Sequence, residues 1–158
     1  MMLNNSCLVI VGDTALEESR KYGLCLWKPE KLKHDTEYIA FYQKKNIWSM
    51  YKIITSFIYD FDGSIPSAID LKNKSDEVLG KLYETEIHDL LTSLKNSNIH
   101  KWQLKDKWKI IYFDKTANLL KKEIIHEEKS AFTQRPSYVF ADSLLEANTT
   151  KDLKFYFR

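Results

Sequence analysis

Residues 37–60, EYIAFYQKKNIWSMYKIITSFIYD, form the most patterned stretch of the chain and restrict its fold more than any other segment. Two apolar runs, rich in β-branched and aromatic side chains, flank the turn signal Lys44-Lys45-Asn46 and predict a β-hairpin. In the second run both strand faces are rather apolar, which is typical of a strand covered on both sides. We therefore expect the second strand at the centre of a sheet.

The rest of the chain predicts further short elements around this hairpin. Strands are predicted at 7–11, 24–28, 108–114 and 137–140, and short helices between Thr14 and Gly23 and from Asp142 or Ser143. Residues 119–129 fit a return strand, with a helix as the alternative. An apolar stripe at helical spacing predicts an amphipathic helix over 75–94. The predicted fold is a single α+β domain over 1–158: a curved, mostly antiparallel sheet or small barrel, packed by that long helix and short helices.

Composition places the chain among globular proteins, with 44% hydrophobic and 29% charged residues in 158. The apolar run 7–11 is too short for a signal peptide or a membrane span, so we expect a cytoplasmic protein with no membrane partner. Cys7 and Cys25 form no metal-binding or disulfide pattern and are expected as free thiols. Lysine-rich basic residues with many Ile and Asn indicate a bacterial or phage origin.

The aromatic side chains have two interpretations, core packing or a binding surface. Aromatic residues make up 13% of the chain, and rings at the open end of a sheet can stack on nucleic-acid bases. Nearby basic residues can contact phosphate, and residues 95–129 contain nine Lys against five acidic residues. The candidate binding residues for a nucleic acid or nucleotide are Trp27, Tyr38, Tyr42, Trp48 and Tyr51, with Lys44, Lys45 and Arg135.

The same hairpin resembles the PUA-like superfamily, in particular its EVE and ASCH branches. The resemblance lies in a strand ending in Phe41-Tyr42, a turn, strand residues Ile47 and Ile53, and a closing Tyr59-Asp60. It covers residues 37–60. It implies a small twisted β-barrel with flanking helices and a pocket for a flipped or modified nucleotide. That pocket would be lined by some of the five aromatic candidates.

A second pattern favours an enzyme. Asp114 ends a predicted strand, and Glu127 and Lys129 lie on the predicted return strand, an arrangement similar to the PD-(D/E)xK nuclease half-site. Two carboxylates would hold Mg²⁺ against the scissile phosphate, and the lysine would help activate water. Charged ends of a surface hairpin explain the same residues. The alternative function is therefore a metal-dependent nuclease using Asp114, Glu127 and Lys129, whereas the preferred binding module needs no cofactor.

A third possibility is a protein-interaction subunit without catalysis, whose aromatic residues all pack in the core. The chain has no glycine-rich phosphate loop, no GxSxG motif and no cysteine-nucleophile signature. The four histidines, His34, His88, His100 and His126, show no metal-binding spacing and are expected on the surface. These absences leave nucleic acid, a nucleotide or a protein as the expected partners.

Overall fold

The computed structural model describes residues 2–11, 14–67, 87–96, 104–129, 132 and 135–157, with the backbone alone described at 14–16 and 18. The strands are β1 (Ser6–Val11), β2 (Leu24–Trp27), β3 (Tyr38–Gln43), β4 (Asn46–Asp60), β5 (Lys107–Phe113), β6 (Ile124–Ile125) and β7 (Ser137–Phe140). The α-helices are α1 (Thr14–Tyr22), α2 (His88–Asn96) and α3 (Ala141–Glu146), and short 3-10 helices span Pro29–Lys31 and Thr150–Asp152.

The chain divides into two compact units that share strand β4. The first unit comprises Met1–Asp13, His34–Ile53 and Phe113–Arg158, and the second comprises Thr14–Lys33 and Ile54–Tyr112. The boundary between Ile53 and Ile54 falls inside β4. Neither unit is therefore a continuous stretch of sequence.

The sheet of the first unit has the order β4-β3-β1-β7, and β6 also pairs with β4. Strands β1 and β3 run parallel, with Cys7 opposite Tyr38, whereas β1 and β7 run antiparallel, with Cys7 opposite Val139. The hairpin predicted from the sequence is present as β3 and β4, joined at Lys44-Lys45. The parallel pair makes this a mixed sheet.

A β-bulge in the hairpin decides which side chains of β4 face which way. Phe41 pairs with Ser49, but the next residue, Tyr42, pairs with Ile47, so Trp48 is the extra residue. A bulge reverses the simple alternation of side chains beyond it. Ile47 and Met50 therefore lie on one face and pack with Tyr42, although strict alternation would separate them.

The two faces of this sheet carry different cores. One face buries a mainly aliphatic cluster: Cys7, Val9, Ala40, Tyr42, Ile47, Met50, Ile124, Val139, Ala141, Leu144, Ala147 and Leu153. On the other face Phe41, Tyr51 and Phe113 form an aromatic cluster, with the Phe113 ring centre 5.4 Å from that of Phe41 and 5.1 Å from that of Tyr51. Burial of each such side chain contributes roughly 1.5–3 kcal/mol, so both faces stabilise the unit.

The second unit packs one helix face against a small antiparallel sheet. Strand β2 pairs with β5, with Leu26 opposite Ile110, and β5 neighbours β4. Leu90, Leu91 and Leu94 follow helical spacing along α2 and are buried in the same cluster as Leu26 and Ile110. Helix α1 ends as predicted at Gly23, whose φ of +74° suits glycine at a helix C-terminus.

The predicted fold class is wrong in two respects. The strand order β2-β5-β4-β3-β1-β7 is open, and its parallel β1–β3 pair makes the sheet mixed rather than a small antiparallel barrel. Among the described residues no α-helix exceeds nine residues, so the structure has no long amphipathic helix. Residues 75–86 of the predicted helix lie outside the described part of the chain, and α2 accounts for its last turns.

The predicted return strand at 119–129 is also reduced. Its strand portion is limited to Ile124–Ile125, and it pairs with Asn46 and Ile47 of β4 rather than with β5.

No helix in the described part of the chain is long and apolar enough to cross a bilayer.

Candidate functional site

The first unit contains an open cavity of about 630 Å³ on the aliphatic face of its sheet. Its lining residues are His126, Glu128, Phe132, Thr150, Lys151, Leu153 and Phe155, and we call it the His126 cavity. Its volume lies in the range that small-molecule ligands occupy in proteins, and its lining mixes apolar rings with a few polar groups. This combination makes it the best candidate site among the described residues.

Backbone hydrogen bonds on both sides of β6 fix the position of His126. The Ile125 amide donates to the Asn148 carbonyl at 3.1 Å, and the His126 amide donates to the Lys45 carbonyl at 2.8 Å. Because Ile124 and His126 are two residues apart on an extended chain, their side chains point to the same side. Ile124 is buried in the aliphatic core, and His126 is accordingly only 5% exposed.

The imidazole of His126 is held by a side chain from a neighbouring turn. Its Nδ1 lies 2.7 Å from Oγ1 of Thr150, at the start of the second 3-10 helix. A threonine hydroxyl can donate or accept, so this contact is compatible with either neutral tautomer of the ring. The hydrogen bond orients the imidazole within a lining that mixes polar side chains with apolar rings.

A capping box fixes the turn that carries Thr150. The Asp152 carboxylate accepts hydrogen bonds from the backbone amides of Thr149, at 3.1 Å, and Asn148, at 3.0 Å. These two donors hold the pKa of Asp152 below its ordinary value, because they stabilise the charged form. The turn that orients His126 therefore depends on an ionised aspartate.

Aromatic rings surround the histidine. The Phe132 ring centre lies 5.2 Å from that of Tyr42, 5.7 Å from that of His126 and 6.0 Å from that of Phe155. Phe132 and Phe155 are half-buried, whereas Tyr42 is buried. Burial raises the pKa of Tyr42, and a backbone hydrogen bond at Phe132 partly opposes this rise. The phenol is thus neutral across the physiological range.

Opposite charges meet at the rim of the cavity. Nζ of Lys151 lies 3.7 Å from Oε1 of Glu128, and both side chains are exposed. Such surface ion pairs contribute about 0–1 kcal/mol, so exchange of one partner for a ligand costs little. Lys151 is therefore a cation that an anionic ligand can recruit.

The structure separates the aromatic residues that the sequence analysis grouped. Tyr38 and Tyr42 share the aliphatic face, whereas Tyr51 lies in the aromatic cluster on the opposite face. Trp48 occupies the bulge, where its carbonyl accepts a hydrogen bond from Nδ2 of Asn118 at 2.9 Å. Trp27 belongs to the second unit. Of the five, Tyr42 has ring contacts with two residues that line the His126 cavity, His126 and Phe132.

The basic candidates lie on the surface of the first unit. Lys44 and Lys45 are exposed and form the two-residue turn between β3 and β4, with φ values of +52° and +64°. The Lys45 carbonyl accepts the hydrogen bond from the His126 amide, so this turn adjoins the segment that carries the histidine. Arg135 is exposed just before β7.

The residues of the nuclease alternative do not share a strand pair, because β6 pairs with β4. Asp114 follows β5, where the hydroxyl and amide of Thr116 both donate to its carboxylate and hold its pKa below the ordinary value. Glu127 and Lys129 are exposed beyond β6. The described residues contain no group of three or more His, Cys, Asp or Glu side chains that could hold a metal. The magnesium site stays a prediction from the sequence.

Sequence reasoning missed most of the His126 cavity. His126 was expected on the surface, and this expectation is wrong because the residue is buried. The alternation of Ile124 and His126 across Ile125 is the signal that could have identified it. Phe132, Thr150 and Phe155 come from separate segments, and no local pattern connects them.

Comparisons with protein-family models, curated proteins and solved structures found no match to this chain.

Proposed function

We propose that the protein is a small cytoplasmic module that binds nucleic acid or a nucleotide, with one base in the His126 cavity. This proposal rests on one observation: half-buried Phe132 and Phe155 line the same open cavity as the buried His126, whose ring is oriented by a hydrogen bond. Apolar rings with one fixed polar group are what recognition of a flat heteroaromatic ligand requires.

The chemistry of four lining residues matches parts of a nucleotide. The faces of Phe132 and Phe155 offer π-surfaces for a base, and such stacking contributes about 1–3 kcal/mol per base. The imidazole of His126 can hydrogen-bond to a base edge in either tautomer. Lys151 at the rim supplies a cation for a phosphate, at the expense of its weak pair with Glu128.

The exposed lysines of the hairpin turn extend this site toward a longer ligand. Lys44 and Lys45 adjoin the segment that carries His126 and can meet phosphates of neighbouring nucleotides. Each phosphate contact on a single strand adds about 0.7 to the slope of log affinity against log salt concentration. A pocket for a flipped or modified nucleotide is also what the PUA-like resemblance implies.

The test is a titration of the ¹⁵N-labelled protein with nucleoside monophosphates and with short single- and double-stranded DNA and RNA, in a metal chelator. We expect saturable chemical-shift changes at His126, Thr150 and the flanking cavity residues. Phe155→Leu should weaken binding about tenfold, equivalent to about 1.4 kcal/mol. Phe57→Leu, which alters a half-buried phenylalanine of the second unit, is the matched control and should not change affinity.

Two results would refute the proposal. One is the absence of saturable shifts at the cavity with every ligand in the series. The other is obtained when the titration is repeated with Mg²⁺ in place of the chelator: processing of the oligonucleotides that is lost in Glu127→Gln would favour the nuclease alternative.

A further inference from the structure

A row of aromatic rings lies at the β7 edge of the first unit's sheet, on the face opposite the His126 cavity. We call it the edge aromatic row; its members are His34, Tyr138, Phe140, Tyr156 and Phe157. Phe140 and Tyr156 are stacked with ring centres 4.1 Å apart, and His34 stacks on Phe157 at 4.9 Å. Phe157 is 53% exposed, and the other four rings are partly exposed. Contiguous apolar groups on a protein surface can mark an interaction site.

Strand geometry places this row and the His126 cavity on opposite sides. The Phe140 amide donates to the Lys154 carbonyl at 2.8 Å, and the Tyr156 amide donates to the Tyr138 carbonyl at 2.9 Å. The segment after Leu153 therefore pairs with β7, with Phe155 opposite Val139. Because side chains alternate, Phe155 joins the cavity face and Tyr156 joins the row.

An open groove of about 470 Å³ borders the row at Phe140. It is lined by Asn5, Phe140, Asp142, Ser143, Glu146, Ala147, Asn148, Asp152 and Lys154. Three of its lining groups are carboxylates and one is an ammonium, and the ammonium of Lys122, which donates to Oδ1 of Asn148 in that lining, offsets one further negative charge. The lowered pKa of Asp152 keeps that carboxylate charged. The groove therefore carries a net negative charge, which repels phosphate and attracts cations.

We propose that the edge aromatic row and its groove bind an arginine-containing basic segment of a partner protein. A guanidinium group stacks on an aromatic face and pairs with carboxylates in a planar geometry, and this surface offers both. The exposed faces of Tyr156 and Phe157 suit the first contact, and Asp142 and Glu146 suit the second. Nucleic acid is disfavoured here because its phosphates would meet the carboxylates.

This inference does not rest on the nucleotide site: the residues of the two surfaces differ except for Asp152, which lines the groove and also caps the turn that carries Thr150. The experiment uses the full ¹⁵N-labelled chain and three blocked hexapeptides in which glycine alternates with arginine, lysine or glutamate. We expect saturable shifts at Tyr138, Phe140 and Tyr156 with the arginine peptide, a several-fold weaker response with the lysine peptide, and none with the glutamate peptide.

Matched variants separate specific binding from simple charge attraction. Glu146→Gln and Phe157→Ala should each lower the affinity for the arginine peptide by about two- to fivefold. Glu30→Gln removes an exposed acid of the second unit, and Ile58→Ala removes an equally exposed apolar side chain, 57% against 53%. Neither control should alter peptide affinity.

The proposal is overturned by any of four results: no saturable shift at the row, an equal loss in Glu30→Gln, an unchanged affinity in Phe157→Ala, or shifts at the row caused by single-stranded nucleic acid instead of peptide. Self-association of the chain through the row, detected as a concentration-dependent mass in sedimentation and abolished by Phe157→Ala, would also overturn it.

Discussion

The turn between β3 and β4 stores backbone strain that a substitution can release. Lys44 and Lys45 both have positive φ, and a two-residue hairpin loop with this geometry is a type I′ turn. Such turns favour Asn at the first position and Gly at the second, since these residues tolerate the left-handed region. We expect the double substitution Lys44→Asn with Lys45→Gly to stabilise the protein.

The expected magnitude follows from two opposing terms. A left-handed conformation costs a residue such as lysine roughly 1–2 kcal/mol. Glycine at position 45 removes this strain but adds roughly 0.5–1 kcal/mol of backbone entropy to the unfolded chain. Asparagine at position 44 relieves part of the strain without that entropic cost. The net gain is about 1 kcal/mol, which corresponds to roughly 2–4 °C in melting temperature for a chain of this size.

The measurement is urea denaturation followed by far-ultraviolet circular dichroism, which gives the free energy of unfolding. Lys121→Gly is the control: this exposed lysine of the same unit has no positive φ, so glycine there should destabilise by up to about 1 kcal/mol. If the double variant loses as much stability as the control, the turn is not left-handed and the argument fails. The same variant also tests phosphate contact, because loss of both lysines should lower the salt slope of nucleic-acid binding by up to about 1.4.

Three further predictions concern the core, the capping box and the thiols. Phe113→Ala should destabilise by about 3–5 kcal/mol in the same urea assay, because it leaves a cavity between buried rings, and a cost below 1 kcal/mol would exclude that packing. Asp152→Asn should destabilise at neutral pH. Since the folded pKa of Asp152 lies below the ordinary 3.8, the difference in unfolding free energy between the variant and wild type should be complete well above pH 3.8 and should vanish as the pH falls through the folded pKa. A pH-independent difference would contradict the capping role. Burial raises the pKa of Cys25 to about 12 and that of Cys7 well above its ordinary value, so a thiol reagent at pH 8 should label both only at the rate of unfolding, and rapid labelling would show that they are accessible.

Local patterns predicted the elements whose determinants are local. The turn at Lys44-Lys45, the end of α1 at Gly23 and strand β7 all depend on a few adjacent residues, and each was predicted correctly. The apolar stripe of α2 was recognised for the same reason, although its first predicted turns lie outside the described residues.

The rest depended on contacts between distant segments. Periodicity contains no information on whether β1 pairs with β3 in parallel, so the mixed sheet was missed. The bulge at Trp48 reverses the alternation of side chains between the two faces of β4, and no turn residue in the sequence predicts it. The Thr150 turn and Phe132 both contact His126, and both come from other parts of the chain. Apart from the alternation of Ile124 and His126, no local pattern indicates a cavity assembled in this way.

The pairing of β1 with β7 has a consequence for biosynthesis. Cys7 leaves the ribosome about 130 residues before its partner Val139, which amounts to roughly 6 to 26 s of translation at ordinary elongation rates. Throughout that interval the outer edge of an apolar strand lacks its native partner, and an unpaired apolar edge is a template for aggregation. The yield of native protein should therefore depend on chaperones that shield this nascent strand.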